Sequence, residues 1–165
     1  MIASASSVCH CVCVSPLHAF SGHGAHWFRE KGLGGLSGAI DLVKGCRRIA
    51  GWSQAPWMLE NTVGVISSYW REPDYSFDPC DYGGYLDSPG DAYTKKTCLW
   101  TGGGFVMQKK KRIAPLEGSK MHRLPPSADR GDLRSVTPLG FVKAVKGSNA
   151  TRLFSVLPFA VETHP

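Results

Sequence analysis

Trp57-Met58-Leu59-Glu60-Asn61-Thr62-Val63-Gly64 decides how the chain is read. A short apolar run is followed at once by a carboxylate and an amide. Side chains in that position are delivered to the carboxyl edge of a parallel sheet, where α/β enzymes bind their substrates. A buried strand fixes its backbone, so the next polar groups arrive with little positional slack. Upstream, Ser37 reads as the N-cap of a helix running to about Gly51. Ile40, Val43, Cys46 and Ala50 form its apolar stripe, with Asp41, Lys44, Arg47 and Arg48 mostly facing away. Pro56 ends the connection. Helix, turn and apolar strand in that order predict an α/β fold with a doubly wound parallel sheet.

The totals set the bounds. A chain of 165 residues buries one sizeable core. With 42% hydrophobic and 19% charged residues it reads as globular, not disordered. Nineteen Lys and Arg against 13 Asp and Glu give a net charge of +6, which suits a polyanionic partner without requiring one. No apolar stretch is long enough to span a bilayer, so no membrane partner is expected. The N-terminus lacks the basic start and apolar block of a secretory signal, and a cytoplasmic setting follows. Six cysteines, at 9, 11, 13, 46, 80 and 98, are expected to be reduced thiols.

Three segments are expected. Residues 1–20 contain no Lys, Arg, Asp or Glu and are rich in Ser, Cys and His, an atypical leader without a helical or strand period. Residues 21–150 form the folded domain, and 151–165 a tail whose apolar stretch Leu153 to Val161 could pack as a strand. Within the domain, residues 24–31 suggest a short helix ended by Gly32. Residues 67–93, with Pro73, Pro79 and Pro89 among many Tyr, Asp and Gly, read as a long loop. Thr94 to Thr101 is strand-like, Gly102 to Gly104 a turn, and Phe105 to Met107 its return strand. Thr137-Pro138 caps a helix ending near Gly147. There is no internal repeat.

Other constellations carry less. Cys9, Cys11, Cys13, His18, His23 and His26 lack the paired C-x2-4-C knuckles of zinc sites, so no metal is assigned. Lys109 to Arg112 reads as a solvated charge run that can touch phosphate. Lys95 and Lys96, between Tyr93 and Trp100, have the basic-aromatic texture of a phosphate-and-base groove, although an ordinary edge strand looks the same. Gly102-Gly103-Gly104 lacks the G-x-G-x-x-G spacing of a nucleotide-binding turn.

Longer stretches carry a resemblance. PWMLENTVGVISSYWREPDYSFDPCDYGGY, DAYTKKTCLWTGGGF and GSKMHRLPPSADRGDLRSVTPLGFVKAV resemble the C-terminal half of phage and prophage DNA cytosine methyltransferase-like proteins, over about Ser21 to Ala150. The resemblance implies a partial Rossmann-like fold, S-adenosylmethionine as methyl donor, and DNA cytosine as acceptor. Glu60-Asn61-Thr62 stands where that superfamily has Glu-Asn-Val. By resemblance, Glu60 would hold the flipped cytosine at N3, Asn61 would support the neighbouring loop, and Lys95, Lys96 and Thr97 would face DNA. Such chemistry needs a cysteine thiolate to add at C6 before C5 becomes nucleophilic, on a base taken out of the stack.

Two departures stand beside the match. Where relatives carry Pro-Pro-Cys-Thr-His, this chain has Ser15-Pro16-Leu17-His18-Ala19-Phe20, and the glycine-rich donor loop expected further upstream is missing. The expectation is therefore a truncated methyltransferase-like domain, with residues 1–20 an out-of-frame reading. The alternatives are a non-catalytic nucleic-acid-binding module and a small Cys/His metal-binding protein. Translating the upstream DNA in all three frames checks the frame: a glycine-rich loop and a Pro-Pro-Cys are expected there, and their absence refutes the frameshift.

Overall fold

The computed structural model describes residues 28–53, 55–64, 66–88, 90–119, 123–127 and 130–149. The leader, its Cys/His cluster and the tail strand lie outside them. The first element is a continuous 26-residue helix, α1 (Phe28–Ser53). The break expected at Gly32 and the cap at Ser37 are both absent, since both residues lie inside the helix. A glycine costs a helix about 1 kcal/mol against alanine, which elongation from both sides outweighs. Its packed stripe is the half-buried Leu42 and Val43 with the buried Cys46; Ile40, expected on that stripe, is exposed.

The strand expectation at Trp57 is met, and the sheet type is corrected. Strands β1 (Trp57–Thr62), β2 (Tyr75–Phe77) and β3 (Thr97–Gly102) form a three-stranded sheet in the order β1-β3-β2, and both pairings are antiparallel. The register places Trp57 opposite Gly102, Glu60 opposite Leu99 and Thr62 opposite Thr97. An apolar run buried on both faces is the usual mark of a parallel strand. Here two-sided burial arises because helices cover both faces of an antiparallel pair. Leu59, Cys98 and Trp100 pack with Leu42, Val43 and Cys46 of α1 on one face.

A one-turn helix, α2 (Ile66–Tyr69), follows β1, and the other face of the sheet is covered by α4 (Leu139–Asn149), which follows α3 (Arg130–Ser135). Met58, Leu99, Phe77 and Tyr82 pack there with Phe141, Ala144 and Val145. Phe141 stacks on Phe77 at 4.2 Å between ring centroids, and Tyr82 meets both rings edge-on at 5.4 Å. The start of α4 matches the Thr137-Pro138 signal, with Val142 N–H donating to Pro138 C=O at 3.1 Å. Its Gly140 N–H donates to the buried Asp91 carboxylate at 2.7 Å, a charge-assisted cap on an orphan donor.

Two local expectations fail for visible reasons. Gly103 (φ 61°) and Gly104 (φ 76°) do make a turn after β3, but Phe105–Met107 does not return as a strand. Val106 donates its N–H to Asn149 Oδ1 at 2.9 Å and accepts from Asn149 Nδ2 at 3.1 Å, so one side chain takes both ladder groups. The loop at 67–93 holds β2 and two 3-10 turns, at 79–81 and 83–85. The basic run docks on those turns: Gly84 N–H donates to Lys111 C=O at 2.8 Å, and Lys110 Nζ lies 2.8 Å from the Asp81 carboxylate. Cys80 and Cys98 are free and buried, whereas Cys46 is disulfide-bonded, unlike the reduced thiols expected throughout.

Among the described residues no helix is long and apolar enough to cross a membrane. The packing of α4 on the sheet predicts that Phe141→Ala lowers unfolding free energy by about 3–5 kcal/mol in urea titrations. Leu139→Ala, at an exposed position on the same helix, is expected to stay within about 0.5 kcal/mol. Equal losses at the two positions would contradict this packing.

Candidate functional site

Strand alternation sorts the singled-out residues between two faces. Glu60 lies opposite Leu99 and so shares the α4 side with Met58 and Thr97, while Asn61 lies opposite Cys98 on the α1 side. Adjacent in sequence, they serve different surfaces of the sheet.

Glu60 is 8% exposed. Its Oε2 accepts a hydrogen bond from Thr137 Oγ1 at 3.0 Å, a contact between residues 77 apart in sequence. Lys95, 6% exposed, lies close enough to act on Glu60 through its field, while its Nζ donates to Val136 C=O at 3.2 Å. Burial pushes the Glu60 carboxyl above its ordinary pKa, against the opposing pull of Lys95 and of the Thr137 hydroxyl. Burial likewise pushes the Lys95 ammonium below its ordinary value, with Glu60 pulling it back. Each group is thus driven toward its neutral form, as low-dielectric surroundings demand. Nearby Tyr93 is pushed up to about 12 by burial, then by Asp91 and Glu60, so its phenol keeps its proton.

Of the three residues expected to face DNA, only Lys96 is exposed. Thr97 is fully buried and donates its hydroxyl to Lys95 C=O at 2.8 Å, and Lys95 N–H donates to Asp78 Oδ1 at 2.8 Å. Lys95 and Thr97 lie instead on the buried face that α4 covers. Asn61, 8% exposed, accepts from Thr62 N–H through Oδ1 at 2.9 Å, which fixes the orientation of its amide. Its Nδ2 is buried without a hydrogen-bond partner. A donor left so costs about 1–3 kcal/mol.

What sequence reading missed is Thr137. It carries a helix-start signal and takes that place, yet nothing in a one-dimensional pattern ties it to a strand 77 residues away.

The described residues supply no thiolate nucleophile. Burial raises the Cys80 thiol, as do the carboxylates of Asp81 and Asp78, and burial raises Cys98. They contain no group of three or more His, Cys, Asp or Glu suited to a metal. The glycine turn at 103–104 is not shaped to hold S-adenosylmethionine: it leads into irregular chain, not a helix, and a Cβ added at Gly103 would meet the Ala55 carbonyl, so backbone already fills that approach.

No family model matches the chain, and neither a curated protein nor a solved structure is similar to it.

The buried pair has a pH signature. Glu60 binds its proton more tightly in the folded chain, so its contribution to stability is present below its unfolded pKa. It is lost as pH rises through the folded value. Denaturant titrations from about pH 4 to 8 are expected to show a fall in stability that Glu60→Gln flattens. Parallel curves for the two proteins would mean that Glu60 does not titrate as a buried group.

Proposed function

We propose that this chain is the base-recognising part of a DNA cytosine methyltransferase-like protein, with Glu60 as the group that reads cytosine. The observation that carries the reading is a carboxyl on a sheet strand, buried beside a buried lysine and pushed toward its protonated form. The sequence resemblance around Glu60-Asn61-Thr62 supports the same role.

The chemistry follows from the edge of the base. Cytosine offers an acceptor at N3 beside an amino donor at N4. A protonated carboxyl donates to the first and accepts from the second. Thymine reverses both groups; in this reading the Thr137 hydroxyl engages Oε2 and holds the proton on Oε1, and that fixed order of donor and acceptor opposes thymine. Such an edge is reachable only when the base leaves the duplex stack. Among the described residues Oε1 of Glu60 has no hydrogen-bond donor, whereas Oε2 is held by Thr137. In this reading Thr137 and Lys95 are positioning residues. Thr137 fixes the carboxyl rotamer, and Lys95 sets how readily the proton leaves. Lys96, exposed on the approach to β3, is the DNA-facing cation of the three.

Methyl transfer in this family draws on S-adenosylmethionine. The described residues do not supply its site, so the reading assigns this chain base recognition and no transfer step of its own. The Rossmann-like architecture belongs to the same proposal, with the antiparallel β1-β3-β2 unit as one part of a larger mixed sheet. Otherwise parallel sheets often carry antiparallel strands.

Binding tests the reading without requiring turnover. The 165-residue chain is titrated with duplexes carrying one mismatched cytosine or, at the same position, one mismatched thymine. Preference for cytosine of about tenfold is expected, the size of one two-point base contact. Glu60→Ala should erase the preference, while Glu60→Gln, which keeps a donor and an acceptor, should retain most of it. Equal affinity of the unmodified chain for both duplexes would overturn the reading.

A further inference from the structure

The last turns of α1 expose Lys44, Arg47 and Arg48, spaced i, i+3 and i+4 and so neighbours on one flank of the helix. Asp41 lies 3.5 Å from Lys44, with both side chains about two-thirds exposed, a pair worth little in water. One turn beyond Arg48 stands Trp52, 86% exposed. An indole so open is unusual on a protein surface that has an apolar interior available to it. Between them, a Cβ added at Gly51 would meet nothing within 4 Å. The ground among the cations is open.

Behind this flank lies a stack of three indoles. Trp70 is parallel to Trp57 at 6.5 Å and to Trp100 at 6.1 Å. The guanidinium carbons of Arg47 and Arg71 each lie 5.1 Å from the Trp70 ring centroid. Stacking engages the face of a guanidinium and leaves its in-plane N–H donors for other partners. Those of Arg71 are already taken, by the Asp74 carboxylate at 2.6 and 2.9 Å and by Thr101 C=O at 3.0 Å. Arg47 has no such carboxylate among the described residues. Its charge is held in place by an aromatic ring, and its N–H donors have no hydrogen-bond partner among the described residues.

We infer that this flank of α1 is a contact face for single-stranded nucleic acid, with Arg47, Arg48 and Lys44 on the phosphates and Trp52 as a platform for an unpaired base. Three convergent cations on a chain of net charge +6 complement a polyanion. The open indole selects the single strand, because an unpaired base can stack on it and a base inside a duplex cannot. The face is independent of the reading of Glu60, since α1 packs on the opposite side of the sheet.

Fluorescence anisotropy with a labelled mixed-sequence single-stranded DNA of about 15 nucleotides, the full chain and a salt series tests the inference. Affinity is expected to fall with salt, at about 0.7 in the log–log slope per phosphate engaged. Arg47→Glu/Arg48→Glu should weaken binding by tenfold or more and reduce the slope by about 1.4, two phosphates at that rate. Arg48→Glu alone, which touches none of the stacked rings, should show about half the slope change and guards against misfolding of the double variant. Trp52→Ala should cost the single strand about tenfold and a matched duplex little. Unchanged affinity in Arg48→Glu or Trp52→Ala would overturn the inference, as would tighter binding to the duplex or to vesicles of anionic lipid.

Discussion

Six residues of β1 lie against six of β3 in a single antiparallel register, and every functional placement depends on that pairing. It sets which side chains share a face. Shifting β1 by one residue would exchange Glu60 with Asn61 and carry Leu59 away from Trp100 to the wrong helix. The register is held from both sides at once. Leu42, Val43 and Cys46 lock one face, while Phe77, Tyr82 and Phe141 lock the other. Asp74 adds a tie at the strand end, where its carboxylate accepts from Thr101 N–H at 2.6 Å and is held below its usual pKa, chiefly by Arg71.

Burial on the α4 side creates the chemistry of Glu60. A carboxyl at the surface would be ionised, and an ionised group can only accept hydrogen bonds. Under α4, with a buried lysine for a neighbour, the same group is driven toward a form that both donates and accepts. Val136 and Thr137 close this arrangement, one binding Lys95 through its carbonyl and the other binding Glu60 through its hydroxyl. The short link between α3 and α4 is therefore both a connection and a roof. The orphan amide of Asn61 is a different case. It sits on the α1 side, at a cost in stability that no partner among the described residues relieves.

The two sides of the sheet differ: the α4 side buries ionisable groups, and the outer flank of the α1 side carries charge. The α4 side excludes water from Glu60, Lys95 and Thr97. On the α1 side, Trp57, Trp70 and Trp100 build an aromatic stack whose outer flank holds guanidiniums in place. Basic character was legible in composition, but the run that looked most basic, Lys109 to Arg112, is partly tied down by Asp81 and by Tyr85 under Lys111. The more open cations belong to α1, where they had read as the dull outer face of an amphipathic helix.

The sequence alone determined the local elements whose signals are short in range. The strand at Trp57, the strand core within 94–101, the glycine turn and the helix after Thr137-Pro138 all follow from neighbours a few residues apart. Tertiary structure alone decided strand direction, the merging of α1 across Gly32, the loss of a return strand to Asn149, and the meeting of Glu60 with Thr137. Each of these is a contact between distant segments, or a cooperative outcome that overrides a weak local preference. An apolar run reads the same whether its partner strand arrives parallel or antiparallel, because two-sided burial depends on what covers the sheet, and that information is spread along the whole chain.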